Sequence, residues 1–139
     1  MASIQVPESL LREARRRGLD VEGIVIRAIS RALGLDPLAE ARAHLELAER
    51  LFREALVLVE ERDAVQASEK LYKAAEETLK AAALVLDAKD ILERVEARGR
   101  WTVTDLERVA RLLDRRVRGR EPGGALLTTY TSGVFTRLS

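Results

Sequence analysis

The chain has 139 residues and no cysteine, which excludes disulfides and thiolate metal sites. Basic and acidic residues nearly cancel, 24 against 23, and a net charge of +1 argues against a dedicated nucleic-acid coat. The length implies one domain with at most a small appendage, large enough to bury its core without a staple.

Charged residues make up 34% of the chain, there is no asparagine, and Gln5 and Gln66 are the two glutamines. Dense charge with few heat-labile side chains is the pattern of a thermophile protein. Arginine far outnumbers lysine, which fits a GC-rich genome equally well. Residues 1–7 lack a basic-then-apolar signal, and no apolar run approaches a membrane span, so a cytoplasmic location is expected.

In chain order, Ile4-Gln5-Val6 alternates apolar and polar, and Pro7 stands where a helix can begin without losing a hydrogen bond. A helix over 8–17 stops at Gly18. A second, over 21–33, gathers Ile24, Val25, Ala28, Ile29 and Leu33 on one face before Gly34. Asp36-Pro37 is a strong start signal for a long helix to about residue 61, with a stripe of Leu45, Ala48, Leu51, Phe52, Ala55, Leu58 and Val59. Asp63 with Gln66 resembles a capping box and opens another long helix to about residue 86. Its stripe is Ala67, Leu71, Ala74, Ala75, Thr78, Ala82 and Val85. Two long helices joined by a short polar turn predict an antiparallel hairpin. A shorter helix over 89–97 ends near Gly99. Thr104 with Glu107 reads as a second capping box, starting a helix that Gly119 ends. From Pro122 the helical period disappears.

Few residues carry chemistry. His44 is the lone histidine, and no serine or carboxylate is placed by sequence to complete a triad with it. Glu69, Lys73, Glu76 and Lys80 fall along one helical stripe with Tyr72 beside it. Each glutamate stands four residues before its lysine, which suits a solvated, salt-bridged face or the floor of a polar groove. Arg115, Arg116, Arg118 and Arg120 cluster at the end of the last regular helix, with Arg108 and Arg111 upstream. Cations there complement the helix dipole, and they are also candidate nucleic-acid contacts. The opening segment has the parts of a ribbon-helix-helix module, which would point Ser3 and Gln5 at bases, although its strand is short and holds no arginine or lysine. No glycine-rich phosphate loop, paired-carboxylate motif or nucleophile elbow is present, and no cofactor or metal is expected.

Four stretches together resemble the archaeal PaREP family: V-P-E-S-L-L at 6–11, L-G-L-D-P at 33–37, A-S-E-K-L-Y-K-A-A-E-E at 67–77 and G-R-W-T-V at 99–103. The resemblance covers about residues 4–118. Its most specific part is Ser68, Glu69, Lys70, Leu71, Tyr72 and Lys73, with Trp101 in the last stretch. The family is in turn similar to the HEPN group of helical bundles, many of them dimeric ribonucleases with an arginine and a histidine four to six residues apart on a late helix. Here the chain departs from that pattern: His44 lies early, and Arg42 is only two residues before it. The resemblance also implies a last helix similar to W-x-x-A-x-x-L-H-x-x-G-F-H-E, which this chain does not show. Within Pro122 through Ser139, the codons read from the third base of Gly123 onward permit W-G-A-A-Y-Y-L-H-V-W-G-F-H-E-A-K. A frameshifted ending is therefore one reading of the tail, and a divergent ending the other. The coding DNA decides between them.

The expected fold is all-α, an antiparallel bundle built on a long helical hairpin with a small N-terminal two-helix appendage. Residues 1–35 form the appendage, 36–120 the HEPN-like bundle and 121–139 an irregular tail. The leading function is a non-catalytic interaction protein, homodimeric, in a toxin–antitoxin or nucleic-acid setting, with no membrane partner. The alternatives are a DNA-binding regulator acting through residues 1–35 and a weak HEPN-type ribonuclease.

Overall fold

In the computed structural model residues 1–119 are described, and among them there are six α-helices and no strand. They are α1 (Glu8–Arg16), α2 (Val21–Ala32), α3 (Pro37–Glu60), α4 (Ala64–Val85), α5 (Lys89–Arg98) and α6 (Val103–Arg118). The irregular tail anticipated over 121–139, and its frameshift reading, lie outside the described residues.

Three aspartates set helix starts by accepting the backbone N–H groups that an α-helix leaves unpaired in its first turn. Asp20 accepts from Gly23 N at 3.2 Å, Asp36 from Ala39 N at 2.9 Å and Asp63 from Gln66 N at 3.1 Å. The start of α6 differs from the sequence expectation. Its cap is Thr102, not Thr104, and the box partner is Asp105, not Glu107. The Asp105 carboxylate accepts from Thr102 N at 2.9 Å while Thr102 Oγ1 accepts from Asp105 N at 3.2 Å. Arg98 then clamps Asp105 from α5 at 2.8 Å, a contact that an exposed Glu107 does not make. That extra cation is why the earlier box wins.

The hairpin of α3 and α4 is built on alanine. Ala41, Ala48 and Ala55 on α3, and Ala67, Ala74 and Ala81 on α4, are all buried and repeat every seven residues. The two sets are symmetric about residue 61, so the antiparallel register sets Ala41 level with Ala81, Ala48 with Ala74 and Ala55 with Ala67. Two cross-links fit that register: His44 to Glu77, and Lys70 Nζ to Glu54 Oε2 at 3.0 Å. Side chains this small let two helix backbones approach closely, and seven-residue spacing keeps the seam facing its partner. Arg62, at φ 62°, takes the left-handed conformation that closes the turn.

Around the hairpin, α4 is the central helix, touching α3, α5 and α6, whereas α3 touches only α2 and α4 among the described helices. The main core joins Leu79 and Ala83 of α4 to Ile91 and Val95 of α5 and Leu106 and Val109 of α6, with Trp101 packed against it. A smaller core joins Leu47, Leu51 and Ala74, covered by Ile26 of α2. Helix α1 buries no residue and touches only α2.

Several stripes expected from periodicity are only partly inside. Val25, Ala28 and Ile29 of α2 and Leu33 just after it are exposed, Ile24, also exposed, borders a cavity at His44 and Lys80, and Ile26 and Ser30 are turned inward. On α3 the expected stripe splits: Ala48, Leu51 and Ala55 are buried, while Leu45, Phe52 and Val59 are exposed. Because α3 is an edge helix with a narrow alanine contact, a wide apolar face cannot all be covered. Met1 to Pro7 carry no strand and are exposed.

Candidate functional site

The feature least expected from sequence is a line of buried charge where α2, α3 and α4 meet. His44 Nδ1 lies 2.6 Å from Glu77 Oε2, with each side chain 6% exposed. The proton therefore sits on Nδ1, and the carboxylate accepts it. The other Glu77 oxygen takes Lys80 Nζ at 2.8 Å, and Lys80 also donates to Asp20 Oδ2 at 2.6 Å. Burial pushes the Lys80 ammonium down, but Glu77 and Asp20 together outweigh it and hold Lys80 above the ordinary lysine value. Lys80 is thus a permanent cation between two carboxylates. Asp20 serves twice, capping α2 through Oδ1 and holding Lys80 through Oδ2.

A cavity of about 40 Å³ borders this line, touched by Asp20, Gly23, Arg27, Glu40, His44 and Lys80. That is room for a water or two and not for a nucleotide. Among the described residues no three His, Asp or Glu side chains converge to hold a metal ion.

The polar stripe expected on α4 is not a ladder of surface pairs. Lys80 has left it for the interior, binding Glu77 and Asp20 in place of Glu76. Glu69 and Lys73 are exposed and, among the described residues, make no ion pair. Glu76 is half-buried, and burial raises its carboxyl pKa despite the opposing field of Lys80. Tyr72, also half-buried, has its phenol raised by burial and by the neighbouring Glu76. The remaining residues of the characteristic run have structural positions: Ser68 Oγ donates to Ala64 O at 2.8 Å, Lys70 crosses to Glu54 of α3, and Leu71 is half-buried.

The second candidate site is an open groove of about 690 Å³ between α5 and α6. Lys89 and Arg94 of α5 and Arg108, Arg111 and Arg115 of α6 line it together with Asp87 and Asp90, and Lys89 lies 3.7 Å from Asp87. Five cations against two carboxylates leave the groove positive. Arg111 lies 3.8 Å from Glu107, whereas Arg94, Arg108 and Arg115 make no ion pair among the described residues. Of the arginines expected to cluster, Arg115 lines this groove, Arg116 is exposed outside it, and Arg118 pairs with Asp114 at 3.0 Å. Arg120 lies outside the described residues. Sequence reasoning missed Arg94 and Lys89 as members, because nothing local ties α5 to α6.

An alanine-seamed helical hairpin, braced by three shorter packed helices and a buried histidine–carboxylate–lysine line, defines an all-α bundle. The chain belongs to the archaeal PaREP1/PaREP8 family, whose family model matches residues 43–121, more than half of its length. The match spans most of α3 and all of α4, α5 and α6, and so the whole α5–α6 groove and His44, Glu77 and Lys80 of the buried line, but not Asp20. No curated protein and no solved structure matches the chain. No described helix is long and apolar enough to cross a membrane.

Proposed function

We propose that this protein is a non-catalytic interaction protein that holds nucleic acid by its phosphate backbone in the groove between α5 and α6. The observation that carries the reading is the convergence of Arg94, Arg108, Arg111 and Arg115 from two helices on one open groove. The dipole of α6 explains basic residues in its last turn, which include Arg115. It does not explain Arg94, which comes from another helix, or Arg108, which stands in the middle of α6. A planar guanidinium suits phosphate oxygens, and a groove without base-reading geometry gives binding with little sequence preference.

This reading gives His44 no acid–base role. Its side chain is almost wholly enclosed and its Nδ1 is committed to Glu77, so a phosphodiester cannot reach it. The decisive experiment is fluorescence anisotropy with short labelled RNA and DNA oligonucleotides. The double variant Arg108→Glu/Arg115→Glu should lose binding, and Arg12→Glu/Arg15→Glu on α1 should retain it.

One observation favours a second reading, a DNA-binding regulator acting through residues 1–35. Ile4, Val6, Leu10, Ile24, Val25 and Ile29 are all exposed there, as the half-core of a ribbon-helix-helix protomer would be. Duplex binding that survives the groove variant and is lost with Gln5→Glu would favour it.

A further inference from the structure

Helix α3 carries two seven-residue repeats side by side. The inner one is the buried alanine seam. The outer one, three residues behind it, is Leu38, Leu45, Phe52 and Val59, and each of these large side chains is 41% to 56% exposed. Leu56, equally exposed, fills the gap between Phe52 and Val59. Three residues on a helix amount to a rotation of about 60°, so the two repeats lie on adjoining faces of one rod. The described helices leave the outer face open, because α3 contacts only α2 and α4. A heptad repeat of large apolar residues is the pattern of a helix that packs against another helix along its length.

We infer that the outer face of α3 is covered by α3 of a second copy of this chain, antiparallel and centred on Leu45. Charge selects both the occupant and the register. Arg42 and Glu49 lie along the same edge of the apolar stripe, exposed, and neither makes an ion pair among the described residues. An antiparallel pair about a two-fold axis at Leu45 sets Arg42 of each copy beside Glu49 of the other, twice by symmetry. The same register places Leu38 against Phe52 and Leu35 against Leu56, so the exposed Leu35 before the helix is used as well. Shifting the axis to Glu49 would bring Glu49 against its own symmetry mate and leave Arg42 over Leu56. A parallel pair would set Arg42 against Arg42 and Glu49 against Glu49. Of these three arrangements, the register at Leu45 is the one that pairs Arg42 with Glu49, and like charges meet in the other two.

The interface is independent of the α5–α6 groove, since none of the groove-lining residues belongs to α3. Two linked copies would present two grooves to one polyanion. Groove affinity and self-association can be measured apart.

The test uses the full chain. Sedimentation equilibrium should report a dimer, and Leu45→Glu should give a monomer that keeps the wild-type helical circular dichroism and a cooperative melt, because Leu45 is no part of the monomer's buried core; its melting temperature should no longer rise with concentration. The absence of cysteine allows a clean second readout. Leu45→Cys should form a covalent dimer on mild oxidation, and Val65→Cys, on α4, should not. Register is read by a charge cycle. Arg42→Glu and Glu49→Arg should each weaken association roughly tenfold, and the double swap should restore it to within about threefold. A wild-type monomer at all concentrations overturns the inference. So does a dimer that survives Leu45→Glu, or a double swap no tighter than the single variants.

Discussion

His44 and Glu77 face each other across the hairpin at 2.6 Å, and both side chains are as buried as the alanines around them. The pair sits one turn from Lys80, so the interior of this bundle carries a proton donor, a carboxylate, an ammonium and a second carboxylate in a line. Such a line is weak evidence for stability in itself, because desolvating each charge is costly. Its effect is on uniqueness. Only the register that pairs the alanines also pairs these charges, and any slip leaves a buried ion alone.

Removing the central cation should therefore be severe. Lys80→Met leaves Glu77 and Asp20 without their shared partner and is expected to cost about 3–5 kcal/mol. The double variant Glu77→Gln/Lys80→Met removes both halves and should cost clearly less than the sum of the two single changes. Urea melts of the three variants measure this. Additive losses would mean that the groups do not interact.

Acid should act through Asp105. The Arg98 guanidinium, then the Thr102 backbone and hydroxyl, outweigh burial and lower its pKa from 3.8 to about 2. The folded state has the lower pKa, so the contribution is fully present above about pH 4 and is lost as pH falls toward 2. The shift corresponds to about 2 kcal/mol, and to about 1–2 kcal/mol once the part-exposed Arg98 is discounted. Chemical denaturation between pH 5 and pH 2 should show that loss in the wild type and not in Asp105→Asn.

Gly23 should resist alanine. Alanine is ordinarily the better helix residue by about 1 kcal/mol, but a Cβ at Gly23 would run into the Asp20 carboxylate, which Lys80 holds in place. Gly23→Ala is expected to lower the melting temperature, and Gly23→Ala/Asp20→Ala should recover part of the loss relative to Asp20→Ala alone.

Helix boundaries were largely legible because caps are local. Asp20, Asp36, Asp63 and Pro37 bond or preset residues within one turn of themselves, and Gly99 supplies the left-handed stop after α5. The one misplaced start, Thr104 for Thr102, failed because Arg98, seven residues away from Asp105, decided between two adjacent boxes. The buried charge was not legible. Periodicity assigns inward positions to apolar residues, so Glu77 and Lys80 read as surface. The available signal was positional: His44 and Glu77 are nearly equidistant from the hairpin turn, and Lys80 follows one helical turn later. The arginine groove was half legible, since Arg108, Arg111 and Arg115 share a face of α6, while Arg94 joins them only through packing.

Salt dependence of nucleic-acid binding tests the groove most directly. Each phosphate neutralised releases condensed counterions, so log K should fall linearly with log salt, by about 0.7 to 0.9 per contact. With four arginines and Lys89 engaged, the slope should be about −3.5 to −4.5, and Arg108→Ala/Arg115→Ala should reduce it by about 1.4 to 1.8 with the fold intact. An unchanged slope in that variant, or no binding to RNA or DNA at low salt, would contradict the assignment.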